Sequence, residues 1–125
     1  MGYSVVDPDE IEPIADRAGD PRPLAEAAGL ETVALNRFRA APGEQIPLVY
    51  HYHEVQEEAF VVLSGTLRVE TPEGEFEVPA GSIFAAQPES PHRAYNPSSA
   101  DETVEVVAIG APAVEDDAVA YERGE

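Results

Sequence analysis

Cysteine is absent from this chain, and so is lysine. Without cysteine there is no disulfide framework, no thiolate metal site and no cysteine nucleophile. Without lysine, seven arginines are the only strongly basic side chains, and they face 25 acidic residues. The resulting net charge of −18 repels nucleic acid and anionic membrane surfaces, so neither is expected as a partner. Long apolar runs are missing too: nothing approaches the roughly 20 residues that a membrane-crossing helix requires. The N-terminal Met1-Gly2-Tyr3-Ser4-Val5-Val6-Asp7 lacks the basic and apolar regions of a secretion signal, and a cytoplasmic location is expected.

What the chain has in excess is acid. Self-repulsion should destabilise the fold unless salt screens it. An acid-rich, lysine-free and cysteine-free composition is similar to that of proteins from extreme halophiles, which work in molar salt. Most aspartates and glutamates are therefore read as solvated surface. The 125 residues suffice for one domain with a modest core and leave no room for a second.

Prolines 8, 13, 21 and 23 break the first 30 residues into an acidic arm that cannot form one long helix. Leu24 to Ala28 is expected to form a single helical turn, started by Pro23 and stopped by Gly29. From residue 31 to 110 the pattern is β throughout. Strands are expected over Thr32 to Arg39, Tyr50 to His53, and Ala59 to Leu63. The last is a continuous apolar run, as in a strand covered on both faces. Thr66 to Thr71 and Glu75 to Val78 alternate around Pro72-Glu73-Gly74 and read as a hairpin. Ile83 to Ala86, His92 to Tyr95 and Thr103 to Ile109 complete the set, and residues 111–125 read as an acidic tail. Many short strands with frequent turn signals predict an all-β sandwich or barrel.

Histidine is the other scarce residue: the chain has three. His51 and His53 lie two positions apart in a predicted strand, so both imidazoles point to the same face. A lone histidine is ordinarily a partly buried or surface residue. Three in this arrangement suggest a shared task, and neutral imidazole is the commonest metal ligand among side chains.

The spacing around these histidines resembles the cupin superfamily. Its first motif runs Gly, five residues, His-x-His, three or four residues, Glu, six residues, Gly. Here His51-Tyr52-His53, Glu58 and Gly65 match the latter part, while Gly43 lies seven residues before His51. The second motif runs Gly, five residues, Pro-x-Gly, two residues, His, three residues, Asn. Gly81, His92 and Asn96 fall at the right spacing, but Gln87 and Glu89 stand where the motif has Pro and Gly. The resemblance implies a single-domain jelly-roll barrel, also called a double-stranded β-helix.

It also implies one divalent transition metal held by His51, His53, Glu58 and His92, with His92 expected to enter from the facing sheet. Glu57 competes with Glu58 as the carboxylate ligand, and the six-residue spacing to Gly65 favours Glu58. Glu58, Phe60 and Val62 share one face of their strand, which puts the carboxylate beside an apolar lining. Three imidazoles and a carboxylate suit Fe, Mn, Zn, Ni or Co, and the family likeness favours Fe or Mn. Tyr50, Tyr52 and Tyr95 are candidate catalytic groups only if they face inward, and no catalytic residue is assigned. Such barrels include dioxygenases, isomerases and decarboxylases, so a metal-dependent enzyme acting on a small molecule is expected. The alternatives are a non-catalytic ligand- or metal-sensing module, or a barrel with a relict site. A homodimer is also expected, with the proline-broken arm a candidate to cross to a neighbour.

Overall fold

Apolar and polar residues alternate with a period of two through most of the chain, and the stretches that carry the alternation are strands. The computed structural model describes residues 2–114 and 117–122, with only the backbone described for residues 47–49. Met1 and two pieces of the expected acidic tail, residues 115–116 and 123–125, thus lie outside the described residues. The strands are β1 (Arg22–Pro23), β2 (Ala34–Ala40), β3 (Gln45–His53), β4 (Glu57–Ser64), β5 (Thr66–Thr71), β6 (Gly74–Pro79), β7 (Ile83–Ala86), β8 (His92–Tyr95), β9 (Val104–Ala111) and β10 (Ala118–Ala120). They form two five-stranded antiparallel sheets, β1-β2-β9-β4-β7 and β10-β3-β8-β5-β6. This is the all-β jelly-roll that the sequence predicts.

The inward positions of the two sheets meet in one core. Phe38, Phe60, Val62, Val104 and Val106 from the first sheet face Ile46, Leu67, Val69 and Ala94 from the second. Each such side chain contributes about 1.5–3 kcal/mol by leaving water. The predicted hairpin is present: Thr71 sits opposite Gly74, leaving Pro72 and Glu73 as its loop. Gly65, between β4 and β5, has φ +74. A Cβ there would sit 2.8 Å from the Thr103 carbonyl oxygen, so both the backbone angle and the space demand glycine. Asn96 is fully buried and ties strand ends together, its amide donating to the carbonyls of Ala40 and Glu102 at 2.9 Å each. The second motif's asparagine is thus a structural brace.

Two expectations need correcting. β4 is not covered on both faces: Phe60 and Val62 are 1% exposed, but Leu63 on the opposite face is 51% exposed. An antiparallel sheet needs only one buried face, and the apolar run alone could not tell the two cases apart. In this single chain the arm lies against the barrel. Arg22 donates to the carbonyls of Pro8, Asp9 and Ile11, and Asp9 pairs with Arg37 and Arg39. Part of the expected tail is a strand, β10, with Ala118 opposite His53 and Ala120 opposite His51. Near Leu24 a single turn forms: the Ala28 N–H donates to the Leu24 carbonyl, and Gly29 follows at φ +73. No helix of the described residues is long and apolar enough to cross a membrane.

Candidate metal centre

β3 and β8 are neighbours in one sheet, and His51 lies directly opposite His92 in their register. His92 therefore comes from the strand beside His51, and not from the facing sheet as the sequence suggested. The carboxylate is the group that crosses: Glu58 stands on β4 in the other sheet, between Ala86 and Gly110. The reversal arises because β4 leaves β3 to join the opposite sheet after the turn at residues 54–56, a step that motif spacing does not reveal.

Three of the expected ligands converge closely. One donor atom from each of His51, Glu58 and His92 lies within 4.8 Å of the other two. His51 and His92 are buried, and their rings are 4.7 Å apart. His53 is adjacent, its Nε2 being 3.7 Å from Glu58 Oε1 and its ring 5.0 Å from that of His51. Glu57 is exposed on the opposite face of β4, so the structure brings Glu58 and not Glu57 to the cluster. Of the tyrosines, Tyr50 packs at a tilt against Tyr121, and the Tyr95 hydroxyl donates to Glu75. No tyrosine is among the described residues lining the cavity beside the histidines.

The hydrogen bonds show what this cluster can hold. His92 Nδ1 lies 2.9 Å from the Ser90 carbonyl oxygen, which can only accept, so this nitrogen carries its proton. His92 Nε2 then points at Glu58 Oε1, 2.8 Å away. Burial by itself lowers the His92 pKa, but the hydrogen bond and charge of Glu58, with the Ser90 carbonyl, outweigh it and raise the value above the ordinary 6.5. His92 Nε2 and Glu58 Oε1 thus face each other at hydrogen-bond distance where a cation could sit. Both ring nitrogens of His53 are buried without a hydrogen-bond partner among the described residues. Orphaned imidazole nitrogens beside a carboxylate fit a metal ion, which would supply the missing partner.

A cavity of about 230 Å³ opens beside the cluster, lined by His51, His53 and Glu58 together with Asn36, Gln56 and Phe38. Gln56, which motif reading passes over, is buried, and its amide donates to the Pro112 carbonyl. A Cβ at Gly110 would lie 2.4 Å from that amide, so this glycine makes room for Gln56. The only hint in the sequence is that Gln56 lies in the gap between His53 and Glu58.

The loop before His92 holds a non-glycine residue in left-handed backbone. Glu89, in the place of the motif's glycine, has φ +67, and its N–H donates to the His53 carbonyl. Left-handed backbone costs a non-glycine residue roughly 1–2 kcal/mol. Glu89→Gly should stabilise the fold by up to about 1 kcal/mol, since glycine's larger unfolded-state entropy offsets part of the relief. Urea unfolding of the two proteins reads the difference, and a destabilised glycine variant would contradict it.

The Cupin_2 family (Cupin domain) matches residues 36–110, more than half of the chain. The chain belongs to the cupin family. Its fold recurs in the polyketide cyclase RemF of Streptomyces resistomycificus, with TM-score 0.76 and 21% identity over 98% of this cupin and 87% of that protein. A sugar phosphate isomerase from Silicibacter pomeroyi superposes with TM-score 0.71 and 22% identity, over 86% of this cupin and 75% of that chain. A protein from Acidithiobacillus ferrooxidans reaches TM-score 0.67 and 24% identity over 74% of this cupin, which spans 58% of its length. No curated protein matches the sequence. At such identities the likeness is one of fold, and one barrel hosts different reactions.

Proposed function

We propose that this cupin binds one divalent transition metal through His51, His53, Glu58 and His92 and acts on a small, uncharged molecule that chelates through oxygen. The observation that carries the reading is the convergence of His51, Glu58 and His92 from two sheets beside a cavity of about 230 Å³. That volume lies below the ordinary range of roughly 300–1,000 Å³ for drug-sized ligands, so only a small molecule fits. When bound, the metal would supply Lewis-acid polarisation of a ligand oxygen. Ligand chemistry admits Fe, Mn, Zn, Ni or Co, and the family favours Fe or Mn.

The chain's own residues supply binding and orientation. Asn36 and Gln56 offer amide groups on the wall, and Phe38, Ala34 and Ala108 offer apolar surface. No arginine is among the described residues lining the cavity, and the chain has no lysine. Beyond the metal itself, no cationic side chain on the described wall would pair with a phosphate or second carboxylate, which favours an uncharged substrate over a sugar phosphate. The competing reading is a non-catalytic binding module. It draws on the lack, among the described lining residues, of any acid or base besides the candidate ligands.

The test is to load the protein with Co²⁺ and follow its visible spectrum while adding small diols, diketones and sugar phosphates. Uncharged chelators should shift the spectrum and phosphates should not. Failure to take up stoichiometric Co²⁺ would sink the metal reading, and a response to phosphates alone would sink the substrate class.

The pH dependence has opposite signs with and without metal. Because the folded His92 pKa is raised, its pairing with Glu58 stabilises the metal-free fold fully below the unfolded value near 6.5. That contribution is lost as pH rises through the folded value. Metal must displace the same proton, so affinity should climb across this window and level off above it. Melting of the metal-free protein and Co²⁺ titrations between pH 6 and 8.5 measure both slopes, and parallel slopes would contradict the shared position.

We also propose a homodimer through the outer face of the β4-containing sheet. Across it, Leu35, Ile109, Ala59 and Ala85 form one row, and Val107, Val61 and Ile83 the next, which ends in Arg37 on β2, with Leu63 beyond. Ile83 is 62% exposed, and the apolar positions of these rows carry no charge on a body of net charge −18, while Arg37 at the β2 end is already paired with Asp9 and Glu105. A second copy is repelled elsewhere and can approach here. Light scattering should give a dimer for the parent and a monomer for the Leu63→Glu, Ile83→Glu double variant. A monomeric parent in molar salt would rule the dimer out.

A further inference from the structure

The C-terminal segment, which composition marks as a solvated acidic tail, places one carboxylate inside the molecule. Asp117 is 6% exposed in a chain whose other carboxylates are largely at the surface. Three backbone N–H groups of the turn between β3 and β4 converge on it. Glu54 donates to Oδ1 at 3.1 Å, Val55 donates to Oδ1 at 3.0 Å, and Gln56 donates to Oδ2 at 2.9 Å. β10 begins at the next residue and pairs Ala118 with His53, so the backbone holds this carboxylate beside the histidine. Asp117 Oδ2 lies 3.7 Å from His53 Nδ1, while His53 Nε2 faces Glu58 Oε1 at the same distance on its other side.

From this arrangement we propose that Asp117 is a positioning residue for His53: it keeps the proton on Nδ1 and leaves the Nε2 lone pair facing Glu58. The inference deepens the metal reading above and rests on it for its functional consequence. Both nitrogens of His53 are buried without a hydrogen-bond partner among the described residues, a costly state for a polar ring. A small ring rotation toward Asp117 would satisfy Nδ1. The free lone pair of Nε2 would then be satisfied by a cation shared with Glu58. A carboxylate that accepts from the remote nitrogen of a ligating histidine fixes its tautomer and orientation, and its loss typically weakens metal binding 10–100-fold. A purely structural Asp117 would serve the turn N–H groups and leave the tautomer of His53 unset.

The two roles separate by experiment on the full chain. Long-range ¹⁵N–¹H spectra of the metal-free protein should show His53 as the Nδ1–H tautomer. A wild-type ring protonated on Nε2 would overturn the proposal without any variant. Asp117→Asn retains an oxygen for Glu54 and Val55, should shift the tautomer toward Nε2–H, and should weaken Co²⁺ binding at least tenfold; Asp117→Glu should restore part of it. In a His53→Ala background the Asn substitution should cost no further affinity, and an undiminished loss there would mark Asp117 as structural. If wild-type protein binds no Co²⁺, the metal reading fails by itself, and the tautomer still decides the role of Asp117.

Discussion

His92→Ala is expected to lower Co²⁺ affinity by a hundredfold or more, with Glu58→Gln close behind. Removing a metal's own ligand should exceed the 10–100-fold loss typical of a supporting residue. The buried setting sharpens this. His92 is 1% exposed and held at Nδ1 by the Ser90 carbonyl, so its Nε2 has little freedom. Glu58 is the one carboxylate in the cluster of donors, and the amide of Gln would remove its charge while keeping its shape. Glu57→Gln is the matched control. Glu57 is exposed on the other face of β4, so its loss should change affinity less than twofold. Titrations monitored by cobalt absorbance or calorimetry read all three. Full metal content in the His92 and Glu58 variants would end the metal assignment, and an effect of Glu57 equal to that of Glu58 would end the facing argument.

Why one part of this site could be read from sequence and another could not is a matter of range. The His51/His53 pair and Glu58 with Phe60 and Val62 follow from alternation within single strands, a local property. Gly65 was legible as a motif position, and its reason is now visible in the approach of the Thr103 carbonyl. Which sheet each strand joins depends on long-range pairing, and there the expectation for His92 went astray. Asp117 was hidden for a different reason. Its type matches the acidic surface around it, and only the pairing of β10 with β3 separates a buried acceptor from its solvated neighbours. Glu89 shows the limit from the other side: its departure from the motif's glycine is plain in the sequence, but only the structure shows it in left-handed backbone.

Raising salt from about 0.05 M to 2 M should raise the melting temperature by roughly 10 °C, given a screening range that falls from more than 10 Å to about 2–3 Å. The net charge of −18 is not offset locally. Arg37 and Arg39 share Asp9 and Glu105, Arg22 takes Asp20, Arg68 takes Glu75 and Glu77, and Arg93 takes Glu70, so these five arginines are already engaged. With 25 acidic residues to seven arginines, most carboxylates face other carboxylates across solvent. Salt weakens the ion pairs as well, but exposed pairs are worth little, and repulsions outnumber them. The net effect of screening is therefore stabilising, by an amount of order 2–3 kcal/mol for a domain this size. Sodium chloride should act nearly as well as potassium chloride if screening is the cause. Sulfate should exceed both, because it also strengthens apolar burial. Calorimetric scans of metal-free protein across the salt series separate these contributions. A melting temperature unchanged between the two concentrations would show that the acidic surface carries no net repulsion in the folded state.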